Sequence, residues 1–322
     1  MDALSDVLRA IRLTGAIFFD VRASEPWVAE TPPGASIVGT IFPGADHLVS
    51  YHVITRGSCW AGVAGEAPIR LSAGDVVVFP HGDQHAMSSA PGMHAAPDLA
   101  LYRRPVDGQL PFKLSVGSAI DESAQFVCGF LGCDARPFNP LLAALPRVVH
   151  LSGATSGAIG AFVQVALAEA REARPGGQCV LSHLSELMFV DVVRRYLETL
   201  PADRTGWLAG LRDPAVGRAL TALHRSPERD WTLEGLAREA GLSRTALAER
   251  FTQFVGQPPM QYLTNWRMQI AATHLRSGTD SMATIAERVG YESEAAFSRA
   301  FKRALGEPPS AWRKRTATGT PA

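Results

Sequence analysis

The chain has 322 residues, of which 46% are hydrophobic and 19% are charged, a composition typical of a globular protein with two or three domains. No apolar run reaches the roughly 18 residues that a membrane-spanning helix needs. The net charge is zero, but residues 212–315 hold 16 basic and 11 acidic side chains, whereas residues 1–211 hold 15 and 20. This asymmetry favours a polyanionic partner for the C-terminal part, with chance variation in surface charge as an equal alternative.

The N-terminal sequence MDALSDVLRAIRLTG predicts a helix rather than a secretion signal. Asp2 and Asp6 interrupt it, and its apolar residues are spaced as on one helix face. We therefore expect a cytoplasmic protein. Four cysteines in a chain of this length do not suggest a disulfide framework.

Residues 15–150 contain short runs rich in β-forming residues, separated by Gly, Pro and Asp. The runs are AIFFDVR, HLVSYHVITRG, PIRLS and DVVVFP. This pattern predicts an antiparallel sandwich or barrel.

The segment GDVVVFPHGDQHAMSS resembles the second motif of the cupin family through Gly74, Pro80, Gly82 and His85. This resemblance implies a cupin-like barrel. In cupins that bind a metal, the first motif carries two histidines and a carboxylate.

The segment YHVITRGSCWAG stands in the place of that first motif, but it keeps only His52, and Arg56 falls where the carboxylate is expected. Non-haem iron sites need two histidines and a carboxylate. We therefore predict no metal and no cofactor. His52, His81 and His85 are candidate ligand-binding residues, and hydrogen bonding within the barrel is the alternative.

Cys128 and Cys133 are a candidate redox pair, because thiols that a turn brings together can form a disulfide. The alternative is that both are small buried apolar residues. Positions five apart on a strand face opposite sides of a sheet, which favours this alternative.

Residues 140–211 have a helical pattern. The segments FVQVALAEAREAR and LSELMFVDVVRRYLETL show a period of 3.6 residues, and a Pro-Gly-Gly sequence separates them. They predict a helical connector over residues 151–205, which either mediates dimerisation or packs against the barrel. The segment LPADRTGWLAGLRDP reads as a polar linker.

The C-terminal third contains a repeat. GQPPMQYL, starting at Gly256, and GEPPSAWR, starting at Gly306, follow two similar helix-Gly-helix segments. A short helix, a tight turn and a second helix form a helix-turn-helix, whose second helix enters the major groove of DNA. The segment between the copies predicts a helix of about 17 residues, long enough to hold two such helices about one DNA turn apart.

Residues 212–315 resemble the AraC/XylS transcriptional regulators through LAREAGLSRTALAERF, RMQIAATHLR and IAERVGYESEAAFSRAFKRALGEPPSAWR. The resemblance implies an α+β protein: a cupin-like antiparallel β-barrel sensor (1–150), a helical connector (151–205) and an all-α domain with two helix-turn-helix motifs (212–315). It implies a sequence-specific transcription regulator that binds promoter DNA and senses a small molecule or a stress. A homodimer is the expected form, and RNA polymerase is a partner if the protein activates. The alternative is a metal-dependent cupin enzyme, an oxygenase or isomerase, with a helical appendage.

The outward positions of the two reading helices correspond to the family's DNA contacts. They are Arg244, Thr245, Ala248, Glu249, Glu294, Ala295, Ser298, Arg299 and Lys302. Arginine can bind guanine O6 and N7, glutamate can accept from cytosine N4, and small side chains can meet a thymine methyl. For Glu249 the alternative is an ion pair with Arg250 or Arg244. We expect Lys302, Arg303 and residues 313–315 to contact phosphates, with a solvated basic surface as the alternative for residues 313–315.

Overall fold

The computed structural model describes residues 2–103, 110–118, 121–172, 174–201 and 203–317. The chain forms two compact units. The sheet unit contains Leu13–Cys133 and Leu145–Thr199, and the helical unit contains Met1–Arg12, Asp134–Ala144 and Leu200–Ala322.

These boundaries differ from the predicted ones at 150 and 205. Residues 1–12 and 134–144 belong to the helical unit, and the predicted connector up to residue 199 belongs to the sheet unit. The physical reason lies partly in the N-terminal helix, where the side chains of Val7 and Ile11 are fully buried. The spacing of apolar residues in the sequence predicts which face of a helix is buried, but it does not show which part of the protein buries that face.

In the part of the chain that the structure describes, nine strands form one sheet. They are β1 (Thr14–Ser24), β2 (Val28–Thr31), β3 (His47–Val63), β4 (Ile69–Ser72), β5 (Val76–Phe79), β6 (His85–Ser88), β7 (Phe112–Gly117), β8 (Ala124–Cys133) and β9 (Val149–Leu151). The main path runs β2-β6-β3-β8-β1-β7, β4 and β5 also pair with β3, and β9 pairs with β5. All pairs are antiparallel except β1 with β7, which differs from the purely antiparallel prediction.

The helices follow in chain order. They are α1 (Ala3–Ala10), α2 (Gly34–Ile41), α3 (Pro140–Ala144), α4 (Ala158–Glu172), α5 (Gly177–Thr199), α6 (Trp207–Arg212), α7 (Pro214–Arg225), α8 (Leu233–Ala240), α9 (Arg244–Val255), α10 (Pro259–Ser277), α11 (Met282–Arg288), α12 (Glu294–Leu305) and α13 (Pro309–Ala317). Within the described ranges, none of these helices is long and apolar enough to span a membrane.

The two faces of β3 and β8 bury different layers, because successive side chains on a strand point to opposite faces. Cys128 of β8 lies opposite His52 of β3, and both point into the curl of the sheet with Phe126. Tyr51 points to the other face, where its hydroxyl donates to Ser185 Oγ of α5 at 2.7 Å. Opposite Tyr51 stands Gly129, where an added Cβ would lie 2.1 Å from the tyrosine ring. The close approach of that ring therefore requires glycine.

The helical unit carries the predicted repeat. Ser243 and Ser293 cap α9 and α12, each accepting a backbone hydrogen bond at 3.2 Å from the residue three positions on. Gly256 and Gly306 follow the ends of these helices at φ of 78° and 81°, a conformation that glycine adopts without a steric penalty. Helix α10, which has 19 residues, joins the two copies of the repeat.

The predicted polar linker before α7 is wrong in one part. Residues 207–212 form α6, and Trp207 is buried, with its indole N–H donating to the Tyr262 hydroxyl at 2.8 Å. Gly and Pro residues near this tryptophan in the sequence are typical of a linker, and so the short buried helix was not predicted.

Candidate nucleic-acid interface

The outward faces of α9 and α12 are accessible in the helical unit. Of the nine residues predicted to read DNA, Ala248 and Ser298 are half-buried. The other seven are exposed: Arg244, Thr245, Glu249, Glu294, Ala295, Arg299 and Lys302. The opposite faces carry the buried Leu247 and Phe251 of α9 and the buried Phe297 and Phe301 of α12.

Three of the exposed side chains are cations that could bind an anionic partner. Arg244, Arg299 and Lys302 make no ion pair with any residue that the structure describes. Their charges are therefore available to an anionic partner. Glu249 likewise has no ion pair within the described ranges, so the predicted alternative of a partner in Arg250 or Arg244 is wrong.

Arg250 instead fixes the orientation of α9. Its guanidinium binds the carboxylate of Asp213 at 2.6 and 3.0 Å. Asp213 also accepts from the backbone N–H groups of Ala215 and Val216, and so it caps α7. The hydrogen bond from Arg250 is the main reason that the pKa of Asp213 is lowered. This pair was not predicted, although Asp213 followed by Pro214 is a signal for a helix start.

Two of the arginines near the C-terminus have other partners. Arg313 donates to the Asp280 carbonyl oxygen at 2.6 Å, and Arg315 binds Glu307 at 2.7 Å. These contacts stabilise the second half of the helical unit, and the predicted phosphate contacts of both arginines stay a prediction. Lys302 and Arg303 remain exposed.

The sheet unit contains a buried polar centre that consists of His52, His85 and Cys128. His52 Nδ1 lies 2.9 Å from Cys128 Sγ, and His52 Nε2 lies 2.8 Å from His85 Nε2. His85 Nδ1 lies 2.8 Å from the Asp83 carbonyl oxygen. The ring of His85 stacks on Phe79, with 3.7 Å between the ring centroids.

These contacts determine where the hydrogens lie. The carbonyl oxygen of Asp83 can only accept, so His85 Nδ1 carries the hydrogen and His85 Nε2 accepts from His52. His52 Nδ1 is then an acceptor for the Cys128 thiol. Burial lowers the pKa of His52 well below its usual value, with a smaller contribution from the charge of His85, and burial lowers the pKa of His85 to about 4. Burial also raises the pKa of Cys128. All three groups are therefore neutral near pH 7.

The predicted site residues do not all come together. His81 is exposed and donates to the Leu145 carbonyl oxygen at 2.9 Å, outside this centre. Cys128 and Cys133 are both free buried thiols of β8. Five residues along an extended strand span about 16 Å, far beyond the roughly 7 Å limit for the Cα atoms of a disulfide, so these two cysteines do not pair within β8.

A metal does not fit the polar centre as it is arranged, because both ring nitrogens of His52 are already in hydrogen bonds. The described ranges contain no group of three or more His, Cys, Asp or Glu side chains placed to hold a metal ion.

Comparison with known proteins covers both units. Residues 2–198 match the cupin family, and residues 236–315 match a helix-turn-helix domain. A Streptomyces lividans protein whose name describes an AraC-like transcription regulator is 34% identical over 317 residues, which is 98% of each chain. The chain belongs to this family of AraC-like transcription regulators.

Two further relatives extend along the whole regulator. A second AraC-like relative, from Streptomyces antibioticus, is 35% identical over 98% of this chain and 99% of its own. The HTH-type transcriptional regulator AlkR of Acinetobacter baylyi is 28% identical over 98% of this chain and 100% of its own. This AraC-like regulator is therefore a DNA-binding transcription regulator and not an enzyme. The predicted fold, a cupin-type sheet with a helical helix-turn-helix part, is confirmed.

Proposed function

We propose that this AraC-like regulator reads a promoter element of two boxes, one bound by α9 and the other by α12. The observation that carries the proposal is the pair of exposed helix faces, whose cations Arg244, Arg299 and Lys302 have no ion-pair partner among the described residues. Arg244 on α9 and Arg299 on α12 make the base contacts, most simply with guanine. Lys302 and Arg303 contact phosphates and supply affinity without sequence preference.

Replacing Arg299 should weaken binding mainly at one base position. Arg299→Ala should cost about 1–3 kcal/mol on the selected duplex, because a bidentate contact to a base is lost. The duplex would first be selected by the wild-type protein from random DNA, and fluorescence anisotropy would then give the Kd for each single-base variant. Arg288→Ala is the matched control, because Arg288 lies on α11 rather than on a reading helix and pairs with Asp280. A uniform loss on every sequence would show that Arg299 only contacts phosphate.

The regulator binds this DNA as a homodimer through α4 and α5. Three large apolar side chains on these helices are exposed: Val165 (49%), Val180 (39%) and Leu187 (50%). Large apolar side chains that stay exposed on the surface of a protein can mark an interaction site. If the protein activates transcription, RNA polymerase is a further partner. The protein acts in the cytoplasm, where bacterial promoters lie.

Leu187→Glu should convert the dimer to a monomer, because it places a charge on the apolar face of α5. Light scattering coupled to size exclusion measures the mass directly. Leu99→Glu is the matched control, because Leu99 is equally exposed (53%) but lies outside both helices. Dimers of unchanged mass and stability in Leu187→Glu would refute the interface.

The sheet unit senses a small effector at the His52–His85–Cys128 centre. The support is chemical: these are buried polar groups among aromatic rings, and a ligand with donors and acceptors could replace their mutual hydrogen bonds. A thermal-shift screen of small metabolites and oxidants, repeated on His85→Phe, tests this location. A compound that stabilises wild type and His85→Phe equally would place the effector elsewhere.

A further inference from the structure

The loop Asp134–Asn139 is held rigid inside the helical unit. Asn139 donates from its side chain to the Asp134 carbonyl oxygen at 2.9 Å and accepts from the Leu142 N–H at 3.0 Å. The Asp134 N–H donates to the Ile11 carbonyl oxygen just after α1 at 2.8 Å. We call residues 134–139 the brace, because both of its ends and the end of α1 are tied together.

The brace is bonded to the middle of α10. Gln269 of α10 is fully buried, and both ends of its amide are used. Its Oε1 accepts from the Phe138 N–H at 3.0 Å, and its Nε2 donates to the Ala10 carbonyl oxygen at 3.1 Å. The rod between the two reading helices is therefore held by two segments that are distant in sequence.

One end of the brace reaches the first reading helix. The ring of Phe138 meets the ring of Tyr262 edge-on, with 5.3 Å between centroids. Tyr262 in turn packs edge-on against Phe251 of α9 at 5.7 Å. Edge-to-face pairs at these distances are favourable, so Phe138 acts through Tyr262 to hold α9 in its position.

The other end reaches the second reading helix. The carboxylate of Asp134 binds Arg12 at 2.9 Å and also pairs with Arg276 near the end of α10. The Arg276 guanidinium lies 5.8 Å from the ring centroid of Trp312, which packs edge-on against Phe301 of α12 at 5.9 Å. A second chain of contacts therefore runs from Asp134 to α12.

Tyr262 and Trp312 occupy the same position in the two copies of the sequence repeat. The brace thus connects to the equivalent aromatic residue beneath each reading helix. Phe138 contacts Tyr262 directly, whereas Asp134 reaches Trp312 by way of Arg276. We propose that Asp134 and Phe138 are positioning residues that fix the separation and phase of α9 and α12 on DNA. This inference rests on the proposed two-box reading, and it concerns the spacing between the boxes rather than the bases within them.

The test compares spacing preference in the full-length protein. The probe is the two-box duplex that wild type selects from random DNA, together with versions whose spacer is 1 or 2 base pairs longer or shorter and versions with one box scrambled. For wild type we expect each change of spacing to weaken binding by about tenfold or more, because an added base pair displaces and rotates the second box. In Phe138→Ala, this penalty should shrink at least about fivefold, while the Kd for single-box duplexes stays within about twofold of wild type, because the base-reading face is untouched.

Asp134→Asn should show the same flattened spacing preference. Asp280→Asn is the matched control: it also removes the carboxylate partner of an arginine, but it lies outside the brace and should keep the wild-type preference. If Phe138→Ala does not fold, Phe138→Leu keeps an apolar side chain and gives the same comparison. A wild-type spacing preference in the brace variants, or equal losses on single-box and two-box duplexes, would overturn the proposal. If wild type selects no two-box sequence, the proposed function itself fails, which is a separate outcome.

Discussion

Replacing Asp134 with alanine should lower the free energy of unfolding of the helical unit by about 3–5 kcal/mol, the usual cost of removing one partner of a buried ion pair. The side chain of Asp134 is 3% exposed and that of its partner Arg276 is 11% exposed. Without the carboxylate, the Arg276 charge stays in an environment that water reaches poorly. The bidentate bond from Arg12 is lost as well.

Urea unfolding followed by tryptophan fluorescence measures this loss, with the two units treated as separate transitions. Asp280→Ala is the control: its ion pair with Arg288 lies at the surface, where such pairs contribute about 0–1 kcal/mol. The double variant Asp134→Leu/Arg276→Met should recover much of the loss, because no buried charge remains unpaired. Equal, small effects of Asp134→Ala and Asp280→Ala would contradict this account of Asp134.

Mild acid should destabilise both units through buried histidines. In the folded protein, burial lowers the pKa of His85 to about 4 and that of His224 to about 3, whereas an unfolded chain has a value near 6.5. Both histidines are thus neutral in the native state and become protonated more readily on unfolding. Stability is unaffected by these groups above about pH 6.5, and it falls as the pH drops from there toward the folded pKa values. Each histidine should cost about 2 kcal/mol by pH 5.

His224→Phe tests the contribution of the helical unit. His224 accepts from the Tyr262 hydroxyl at 2.7 Å and packs on Trp266, so a phenylalanine ring occupies similar space without a titrating group. Chemical denaturation between pH 7.5 and 4.5 should show a shallower loss of stability for the helical unit in this variant. His183→Phe, at an exposed position of α5, should leave the pH dependence unchanged. A slope in His224→Phe as steep as in wild type would assign the acid sensitivity to other groups.

The sequence predicted the features that local chemistry determines. The repeat was readable because Ser243 and Ser293 cap helices and because Gly256 and Gly306 end them, and each rule acts within a few residues. The inward and outward faces of α9 and α12 follow from the 3.6-residue period in the same way.

The features that the sequence did not reveal depend on pairing between distant segments. The contact between His52 and Cys128 exists because β3 and β8 pair in one register, and a shift by one residue would turn both side chains to the other face. The bond between Gln269 and Ala10 joins residues 259 positions apart. Neither relation leaves a local pattern, so the sequence groups His81 with His52 and assigns residues 134–139 to the barrel domain, whereas the structure places them in the helical unit.

The bond from Gln269 to Ala10 also bears on biosynthesis. On the ribosome, α1 is made well before α10, because the whole sheet unit lies between them in the sequence. The sheet unit ends at Thr199 and can complete its own contacts earlier, since domains generally fold as units during translation. Residues 1–12 therefore stay without their final partner until α10 has been made, so substitutions in α1 would impair the folding of the helical unit, which is completed last.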